Sequence, residues 1–294
     1  MADVLGGRVA VVTGAGAGLG RAEALGLAAD GATVIVNDLA SALAASDVVD
    51  EIAAAGGTAV PVAGDISESA TAAEIMRVAV DDLGGLDIVV SNAGITRDGM
   101  LFNLTDEQWD SVVRVHLRGH FLLNRNAAAH WRAASKASGG PVYGRLVNTS
   151  SEAGLLGPAG QANYAAAKAG ITALTLSASR ALERFGVTAN AICPRARTAM
   201  TADVFGDVPE GEVDPLSPEH VVTLVRYLTS PAAAQVSGQV FVVYGPTVTL
   251  MAAPEIRATF TADAAEWAPA DLTDALNSYF DGEPRGTFSA QSLI

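Results

Sequence analysis

The chain has 294 residues, of which 50% are hydrophobic, and its formal net charge is −14 at pH 7. This much apolar material can bury a substantial core, which excludes a disordered or fibrous protein. The acidic balance argues against a nucleic-acid partner, because proteins of that class gather positive charge where they contact phosphates.

Short β-branched runs alternate along the chain with longer segments rich in alanine and leucine, as strands alternate with helices. The predicted strands are Val9–Thr13, Thr33–Asn37, Thr58–Val62, Asp87–Ser91, Arg145–Thr149, Thr188–Cys193 and Gln239–Val243. The predicted helices are Leu19–Ala29, Ser46–Ala55, Glu68–Leu83, Asp106–Ala134, Ala162–Phe185 and Pro218–Leu228. Because the strands are apolar throughout, helices should cover both faces of their sheet. The predicted fold class is α/β, a doubly wound Rossmann-type parallel sheet flanked by helices.

Two segments depart from this alternation. Residues Thr198–Leu216 combine glycine and proline with acidic and small residues, which predicts a mobile excursion near a strand end. Residues 246–294 are weakly patterned, with a helix predicted around Ala270–Phe280. We expect one domain over residues 1–245 and a C-terminal extension packed on that same domain.

The sequence shows no sign of export or membrane insertion. It lacks a basic stretch followed by an apolar core at its start, and no apolar run approaches the ~20 residues that span a bilayer. The single cysteine, Cys193, fits a reducing compartment. We expect a cytoplasmic protein with no membrane partner.

The first predicted strand runs into a glycine-rich turn, Thr13-Gly-Ala-Gly-Ala-Gly-Leu-Gly20, which a helix follows. Glycines there let the backbone approach a pyrophosphate, and the helix N-terminus favours its negative charge. The alternative is a tight turn without a ligand. The predicted cofactor contacts in this turn are Gly14, Gly18, Leu19 and Gly20.

Asp38 stands at the end of the second predicted strand. A carboxylate at that position accepts hydrogen bonds from both hydroxyls of an adenosine ribose and repels a 2′-phosphate, so NAD is favoured over NADP. The alternative is that Asp38 caps the turn Asn37-Asp-Leu-Ala.

A tyrosine and a lysine lie one helical turn apart in Asn163-Tyr-Ala-Ala-Ala-Lys168. At this spacing Tyr164 and Lys168 share a helix face. A nearby ammonium stabilises phenolate and lowers the tyrosine pKa toward the range of a general acid or base. Ser151, which closes Asn148-Thr-Ser-Ser151 after a strand, could orient a substrate oxygen toward Tyr164.

In their order and spacing, these residues resemble the short-chain dehydrogenase/reductase family over nearly the whole of Gly6–Tyr244. The matching residues are Thr13-Gly-x-x-x-Gly-x-Gly20, Asp65, Asn92-Ala-Gly94, Ser151, Tyr164-x-x-x-Lys168 and Asn190-x-x-x-Pro194. The resemblance implies that residues 1–245 bind NAD, that Ser151 polarises the substrate oxygen and that Tyr164 transfers a proton. Lys168 would lower the tyrosine pKa and hold the nicotinamide ribose. Ser150 is the alternative serine, but the family spacing selects Ser151.

The same resemblance implies further cofactor contacts. Asp65 would bind the adenine amino group with Ile66 beside it, and Asn92 and Gly94 would line the cofactor floor. Thr198 would contact the nicotinamide carboxamide, and Ile192 would make a backbone contact. For Asn92 a purely structural role is an equal alternative, since asparagine at a strand end often ties backbone groups together.

Two histidines lie one turn apart in Val115-His-Leu-Arg-Gly-His-Phe121. A metal site would need a third ligand, and the nearest histidine, His130, is more than two turns away, so we predict no metal. His120 is predicted to be a packed or surface side chain. His116 occupies the slot where the family usually places an asparagine, and an imidazole could hold the proton-relaying water as that amide does.

Four local patterns narrow the resemblance to the (3R)-hydroxyacyl-CoA dehydrogenase part of peroxisomal multifunctional enzymes and their bacterial relatives. They are Val115–Gly119, Asn37–Leu39, Gly160–Tyr164 and the loop Pro194–Thr201. This implies NAD-dependent oxidation of a 3-hydroxyacyl-CoA. The alternatives are a 17β-hydroxysteroid dehydrogenase, a 3-oxoacyl-acyl-carrier-protein reductase and, from another class, a non-catalytic dinucleotide-binding sensor.

Substrate and subunit contacts follow as expectations. Leu155, Leu156 and Met200 could supply an apolar cleft. Arg195 and Arg197 could meet a CoA phosphate or, equally, be exposed or ion-paired with Glu210 or Asp203. The family resemblance suggests a homotetramer or homodimer packed through the two long predicted helices, Asp106–Ala134 and Ala162–Phe185.

Overall fold

Eight strands form one sheet in the computed structural model, which describes residues 3–198, 201, 214–281 and 288. Their order is β3-β2-β1-β4-β5-β6-β7-β8. The strands are β1 (Val9–Thr13), β2 (Thr33–Asp38), β3 (Thr58–Ala63), β4 (Ile88–Ser91), β5 (Gly144–Thr149), β6 (Val187–Pro194), β7 (Val240–Tyr244) and β8 (Thr247–Leu250). The first seven are parallel and β8 pairs antiparallel with β7. The predicted parallel α/β sheet is confirmed.

Helices cover both faces of the sheet. Among the described residues they are α1 (Gly18–Ala29), α2 (Ala40–Ala44), α3 (Val48–Ala54), α4 (Ser69–Arg77), α5 (Asp106–Val113), α6 (Gly119–Ser138), α7 (Ala153–Leu156), α8 (Ala162–Leu182), α9 (Pro218–Thr229) and α10 (Pro269–Phe280). Short π-helical segments follow α4 at Val78–Asp82 and α5 at Arg114–Arg118, and 3₁₀ turns lie at Leu101–Asn103, Glu183–Phe185 and Pro231–Ala233.

The continuous apolar pattern of the strands reflects two cores, one on each face of the sheet. Val9 and Val11 of β1 pack in the core that contains Trp131 of α6, whereas Ala10 and Val12 pack in the core that contains Leu27 of α1. Successive side chains of a strand point to opposite faces, so both sets must be apolar when both faces are covered.

The long predicted helix Asp106–Ala134 is not one regular helix. A capping box starts it, in which the Gln108 N–H donates to Thr105 Oγ1 and the Thr105 N–H donates to Gln108 Oε1. The π-helical segment Arg114–Arg118 then separates α5 from α6. Such a segment inserts one residue per turn and is frequent at functional sites, and here it contains His116.

The sheet continues past the predicted domain boundary at residue 245. Strand β8 follows a turn at Gly245, whose φ of +47° is left-handed, and Tyr244 pairs with Thr247 across that turn. The strand has only four residues, of which Val248 is 52% and Leu250 is 57% exposed. Its brevity and its exposed apolar positions explain why the sequence pattern did not indicate it.

The extension contains the predicted helix as α10. No residue from 251 to 281 is buried, and Tyr279 contacts the ring of Phe260 edge-on at 5.2 Å. Packing of the extension on the domain therefore stays a prediction. Most of the predicted excursion Thr198–Leu216, with Met200, Asp203 and Glu210, lies outside the described residues. Within the described part of the chain, no helix has the length and apolar character needed to span a membrane.

The strand order reverses between β1 and β4, because the chain builds outward from β1 to β3 and then returns to the other side of β1. In an open parallel sheet, ligands bind beyond the carboxyl ends of the strands at such a reversal. Thr13, Asp38, Ser91 and Thr149 end their strands at this edge, which places the predicted site residues around one crevice.

Candidate active site

A cavity of about 380 Å³ opens at this edge of the sheet. Most of the predicted site residues line it, namely Gly14, Gly18, Leu19, Asp38, Asp65, Ile66, Asn92, Gly94, His116, Ser151, Tyr164, Lys168 and Thr198. Gly20 and Ile192 are not among the lining residues. The structure thus brings together residues that are up to 184 positions apart in the chain, from Gly14 to Thr198.

The glycine-rich turn lies against the end of β4. Gly14 has a left-handed φ of +67°, and a Cβ there would lie 2.8 Å from the Cα of Ala93. Helix α1 begins after Ala17, which offers no side-chain cap, so the first N–H groups of the helix face the cavity without a capping side chain. Free N–H groups and close backbone approach are what an anionic diphosphate requires.

Gly20 has a packing role, and its predicted cofactor contact stays a prediction. A Cβ at this position would lie 2.3 Å from the carbonyl oxygen of Gly14 and 2.6 Å from Nδ2 of Asn92. The first group belongs to the start of the turn, and the second belongs to the side chain that follows β4. Gly20 therefore lets α1 start directly against the turn.

Asp38 makes the predicted turn cap, and its ribose-binding role stays a prediction. Its Oδ1 accepts from the Leu39 N–H at 2.7 Å, which is the predicted turn cap, and its Oδ2 accepts from the Gly16 N–H at 3.0 Å. The carboxylate also lines the cavity beside the glycine turn. Its position at the end of β2 is the one that a ribose-binding carboxylate needs.

Asn92 ties two strands together, as the structural alternative predicted. Its N–H donates to Thr13 Oγ1 at 3.0 Å and its Nδ2 donates to the Thr13 carbonyl at 3.1 Å. Asp65 is similarly engaged, because its Oδ1 accepts from the N–H and hydroxyl of Ser67 at 2.9 and 2.6 Å. Both side chains still line the cavity.

Lys168 is buried, with 2% of its surface exposed, and its Nζ donates to the Thr149 carbonyl at 2.6 Å. Burial lowers the pKa of this amine to about 7. Its Nζ lies 5.4 Å from the ring centre of Tyr164. The predicted pairing of the two side chains in space is therefore present.

The predicted effect of Lys168 on the Tyr164 pKa is not seen. Burial raises the pKa of Tyr164 above its ordinary value, and a hydrogen bond with Ser151 offsets this in part. The physical reason is that desolvation disfavours the phenolate, which is the largest influence on this group. Positive charge placed near the phenol oxygen would favour the phenolate.

The two serines that follow β5 have different environments. Ser150 is 1% exposed, and its hydroxyl donates to the Lys168 carbonyl at 3.0 Å and lies 2.7 Å from Thr172 Oγ1. Ser151 accepts from the Ala153 N–H at 3.1 Å and interacts with Tyr164. Ser150 is thus committed to α8, and Ser151 is the serine beside the tyrosine, in agreement with the selection made from the spacing.

His116 is buried between Tyr164 and the end of β4. Its Nε2 lies 2.7 Å from the Ile95 carbonyl oxygen and 3.0 Å from the Ile95 nitrogen. Its ring meets Tyr164 edge-on at 5.2 Å. Burial and the Lys168 charge hold the pKa of the imidazole well below 6.5, so His116 is neutral. Its buried Nδ1 has no hydrogen-bond partner among the described residues and is available to a water.

Gly94 has a role that sequence reasoning missed. A Cβ at Gly94 would lie 2.2 Å from Cε1 of His116. The glycine therefore makes room for the imidazole, and the signal would have been the pairing of a bulky residue at 116 with glycine at 94. His120 is buried and packed, as predicted, with Nδ1 donating to the His116 carbonyl at 2.7 Å.

The predicted backbone contact of Ile192 with the cofactor stays a prediction, and Ile192 already makes one backbone contact within the protein. Ile192 is fully buried in β6, and its carbonyl accepts from the Ser150 N–H at 2.7 Å. This hydrogen bond holds Ser150, directly after β5, against β6. Thr198 does line the cavity, and its N–H donates to Thr201 Oγ1 at 2.9 Å.

Arg195 and Arg197 are ion-paired, as one of the predicted alternatives has it, and their partners among the described residues are Glu152 and Asp214. Arg195 binds Glu152 through two hydrogen bonds of 2.5 and 2.7 Å, and Arg197 binds Asp214 at 3.0 Å. The expected partners Asp203 and Glu210 lie outside the described residues. Both guanidinium groups are thus engaged near the cavity mouth, which weakens the idea that they meet a CoA phosphate.

Asn163 is a second residue whose role the sequence did not reveal. It is fully buried, and its Nδ2 donates to the carbonyls of Arg97 and Gln108 at 2.9 and 3.1 Å. Its Oδ1 accepts from the Tyr164 N–H at 2.8 Å. Asn163 thereby fixes the first turn of α8, and with it Tyr164, to the loop after β4 and to α5.

No group of three or more histidine, cysteine, aspartate or glutamate residues is placed to hold a metal ion in the described part of the chain. The cavity instead combines a helix N-terminus, a strand-end carboxylate and a buried tyrosine, lysine and serine. This arrangement can bind an anionic dinucleotide and move a proton at a substrate oxygen.

Comparison with known proteins gives consistent results. The family described as short chain dehydrogenase matches residues 8–208. The hydroxyacyl-CoA dehydrogenase ChsB1 of Mycobacterium tuberculosis is 69% identical over 99% of this chain and 94% of its own length. Peroxisomal multifunctional enzyme type 2 of Mus musculus is 40% identical over 79% of this chain and 31% of its own length.

A solved structure extends the similarity beyond the sequence. The crystal structure of a short chain dehydrogenase from Mycobacterium avium superposes with a TM-score of 0.85 at 42% identity. The superposition covers 98% of this chain and 100% of that one. The similarity therefore includes the C-terminal extension as well as the sheet.

Proposed function

The chain belongs to the short-chain dehydrogenase family and is an oxidoreductase, and from this premise we propose that it oxidises a 3-hydroxyacyl-CoA to a 3-oxoacyl-CoA with NAD⁺. The observation that carries the proposal is the single cavity with Asp38 toward one end and Ser151, Tyr164 and Lys168 toward the other. The name of the relative that is 69% identical, hydroxyacyl-CoA dehydrogenase, supports the substrate class.

The residues of the cavity fit a nicotinamide dinucleotide. The uncapped N-terminus of α1 and the left-handed Gly14 and Gly18 suit the diphosphate, and the Asp38 carboxylate suits the adenosine ribose. When bound, the oxidised nicotinamide accepts a hydride and adds positive charge to the site. Asp65, Ile66, Asn92 and Thr198 are the further proposed contacts, since all four line the cavity.

The catalytic role proposed for the residues of this chain is to take one proton from the substrate hydroxyl. Ser151 donates to the substrate oxygen and orients it toward Tyr164. The Tyr164 phenolate accepts the hydroxyl proton as the carbon loses its hydride. Because burial raises the pKa of Tyr164, forming the phenolate requires nearby positive charge, and Lys168 is the cation closest to the ring among the described contacts. His116 holds a water on the path between Lys168 and solvent.

A 17β-hydroxysteroid is the second candidate substrate. One observation favours it: Arg195 is paired with Glu152, and Arg197 is paired with Asp214. A CoA substrate needs cations at the rim of the cavity to meet its phosphates, whereas a steroid needs none. Reduction of a 3-oxoacyl group on a carrier protein is the same chemistry in reverse. The set of Ser151, Tyr164 and Lys168 weighs against a non-catalytic sensor.

The proposal also includes a homo-oligomer, a tetramer or dimer, and a cytoplasmic location. The predicted interface helices carry large exposed aromatic side chains, Trp109 on α5 at 40% and Phe121 on α6 at 42% exposure. Exposed aromatic residues are enriched at subunit interfaces. The one cysteine, Cys193, is free and buried, as suits a reducing compartment.

Substrate class is tested with matched panels of 3-hydroxyacyl-CoA thioesters and 17β-hydroxysteroids assayed by NADH formation. We expect kcat/KM for the best thioester to exceed that for the best steroid by about 100-fold, or ~2.7 kcal/mol of transition-state binding.

Tyr164→Phe should lower kcat by a factor of about 1,000 because the proton acceptor is gone. Tyr227→Phe, on the surface of α9 with 44% exposure, is the matched control.

A steroid turned over better than every thioester would replace the substrate proposal while leaving the mechanism intact. Unchanged turnover in Tyr164→Phe would contradict the mechanism itself.

Cofactor preference is tested at Asp38. In the natural protein we expect kcat/KM to favour NAD over NADP by about 100-fold, because the carboxylate repels the 2′-phosphate. Asp38→Ser should shift that ratio toward NADP by about tenfold or more. Asp110→Ser, at an exposed site on α5, removes the same charge far from the cavity and should leave the ratio unchanged. A natural preference for NADP would show that Asp38 does not act on the ribose.

The role of His116 is tested by its replacement with the family's usual residue. His116→Asn should keep about a third or more of kcat, because an amide can hold a water as the neutral imidazole does. Since the His116 pKa is held well below 6.5, its protonation belongs to acidic pH, and the pH dependence of kcat should be the same in both proteins between pH 6 and 8. Loss of all activity, or a displaced pH profile, would mean that the imidazole titrates during turnover.

A further inference from the structure

Four buried polar side chains form a continuous run of hydrogen bonds beneath the cavity, and none of them lines it. Ser91 donates to Asn124 Oδ1 at 3.3 Å, and Asn124 Nδ2 donates to Asn148 Oδ1 at 3.1 Å. Asn148 Nδ2 then donates to Thr175 Oγ1 at 2.9 Å, and that hydroxyl donates to the Ile171 carbonyl at 2.8 Å. The four residues are between 0 and 3% exposed.

The run has a single consistent direction, in which each side chain donates to the next. It crosses four elements, from β4 through α6 and β5 to α8. Buried amide and hydroxyl groups are costly when unpaired, so a displacement of either helix that broke one link would leave polar atoms without partners. The run therefore selects one axial position for α6 and α8 against the sheet.

This polar run is one of several side-chain links between β5 or the residue that follows it and α8; the others start from Lys168 and from Ser150. Thr175 is seven residues beyond Lys168, which is about two helical turns, so both side chains lie on the same face of α8. Asn148 likewise directly precedes Thr149, whose carbonyl accepts from Lys168 Nζ at 2.6 Å. Asn148 to Thr175 and Thr149 to Lys168 are thus neighbouring links between the same strand and the same helix.

We infer that Asn124 and Asn148 are positioning residues that set the axial position of α8 against β5 and so hold the Lys168 amine at the Thr149 carbonyl. The inference rests on the proposed function only because that function gives Lys168 its catalytic role. Neither asparagine touches the cavity, and both act through the helix that carries Tyr164 and Lys168.

Chemical modification of amines can report the placement of Lys168, because the chain has only two lysines, Lys136 and Lys168. Lys136 is exposed and Lys168 is buried, so Lys136 serves as an internal reference for amine modification. The titratable groups that interact with the Lys168 amine are Tyr164, His116, His120 and Cys193. The experiment is acetylation with acetic anhydride across a pH range, read by mass spectrometry, on full-length protein without cofactor or substrate.

In the natural protein, Lys168 should react with a midpoint near its lowered pKa of about 7, and with a limiting rate about tenfold below that of Lys136 because it is shielded. In Asn148→Leu and in Thr175→Val the link to α8 is broken and water can reach the amine. Its midpoint should then rise by about one pH unit or more toward the ordinary value of about 10.4, and its limiting rate relative to Lys136 should rise about fivefold.

Thr175→Val keeps the side-chain volume and removes only the hydroxyl, so it tests the idea even if Asn148→Leu does not fold. Thr229→Val is the matched control, since Thr229 is equally buried on α9, across the sheet, and its hydroxyl donates to the Val225 carbonyl at 2.9 Å. We expect this control to lose stability without any change at Lys168.

Kinetics supply the second readout. Asn124→Leu and Thr175→Val should lower kcat about tenfold while KM for the alcohol stays within about twofold, because the amine is displaced but the binding surface is not. An unchanged Lys168 midpoint and rate in the folded variants would overturn the inference, whatever happens to stability. Modification is measured without substrate, so a wrong substrate assignment would leave this result unaffected.

Discussion

The hydrogen bond from Lys168 to the Thr149 carbonyl is the contact on which the site depends. It joins the strand that ends in the two serines to the helix that carries Tyr164, and it lies in an interior where charge is costly. The ammonium has three donors and one protein acceptor among the described residues, so it has donor capacity left over, and burial lowers its pKa to about 7. The surrounding fold must therefore keep the strand and the helix in one fixed relation.

Several features of the chain serve that requirement. Asn163 anchors the first turn of α8 to two carbonyls, and Ser150 joins the end of β5 to the Lys168 carbonyl. Ile192 holds Ser150 in turn through its carbonyl. The result is a rigid base for Tyr164 and Ser151, as a site needs when reacting groups must stay within a fraction of an ångström of their productive geometry.

Electrostatics explain why the two ends of the cavity suit different parts of one cofactor. The uncapped α1 N-terminus favours negative charge, and under the proposed function the Asp38 carboxylate would repel an additional phosphate and accept hydrogen bonds from the ribose hydroxyls. At the other end, burial raises the pKa of Tyr164 and lowers that of Lys168, and both shifts disfavour the charged forms. A positively charged ring between these ends would favour the phenolate, which links cofactor binding to proton transfer.

The sequence was a good guide wherever a local pattern had a single physical meaning. Continuous apolar strands predicted a sheet covered on both faces, and the spacing of Tyr164 and Lys168 predicted a shared helix face. The sequence did not indicate features that depend on contacts between residues far apart in the chain. The partner of Arg195 is Glu152, 43 residues earlier in the chain, and the need for glycine at 94 comes from the ring of His116. The π-helical turn at Arg114–Arg118 has no compositional signature, and β8 is too short and too exposed to be seen.

The central claim is that a hydride passes from C3 of a 3-hydroxyacyl-CoA to the nicotinamide of NAD⁺. Its most direct test is turnover of a 3-hydroxyacyl-CoA that carries deuterium at C3, followed by mass spectrometry of the NADH formed. The account predicts NADH that is heavier by one mass unit and a 3-oxoacyl-CoA product without the label. Unlabelled NADH, or no reduction of NAD⁺ at any thioester chain length, would contradict it.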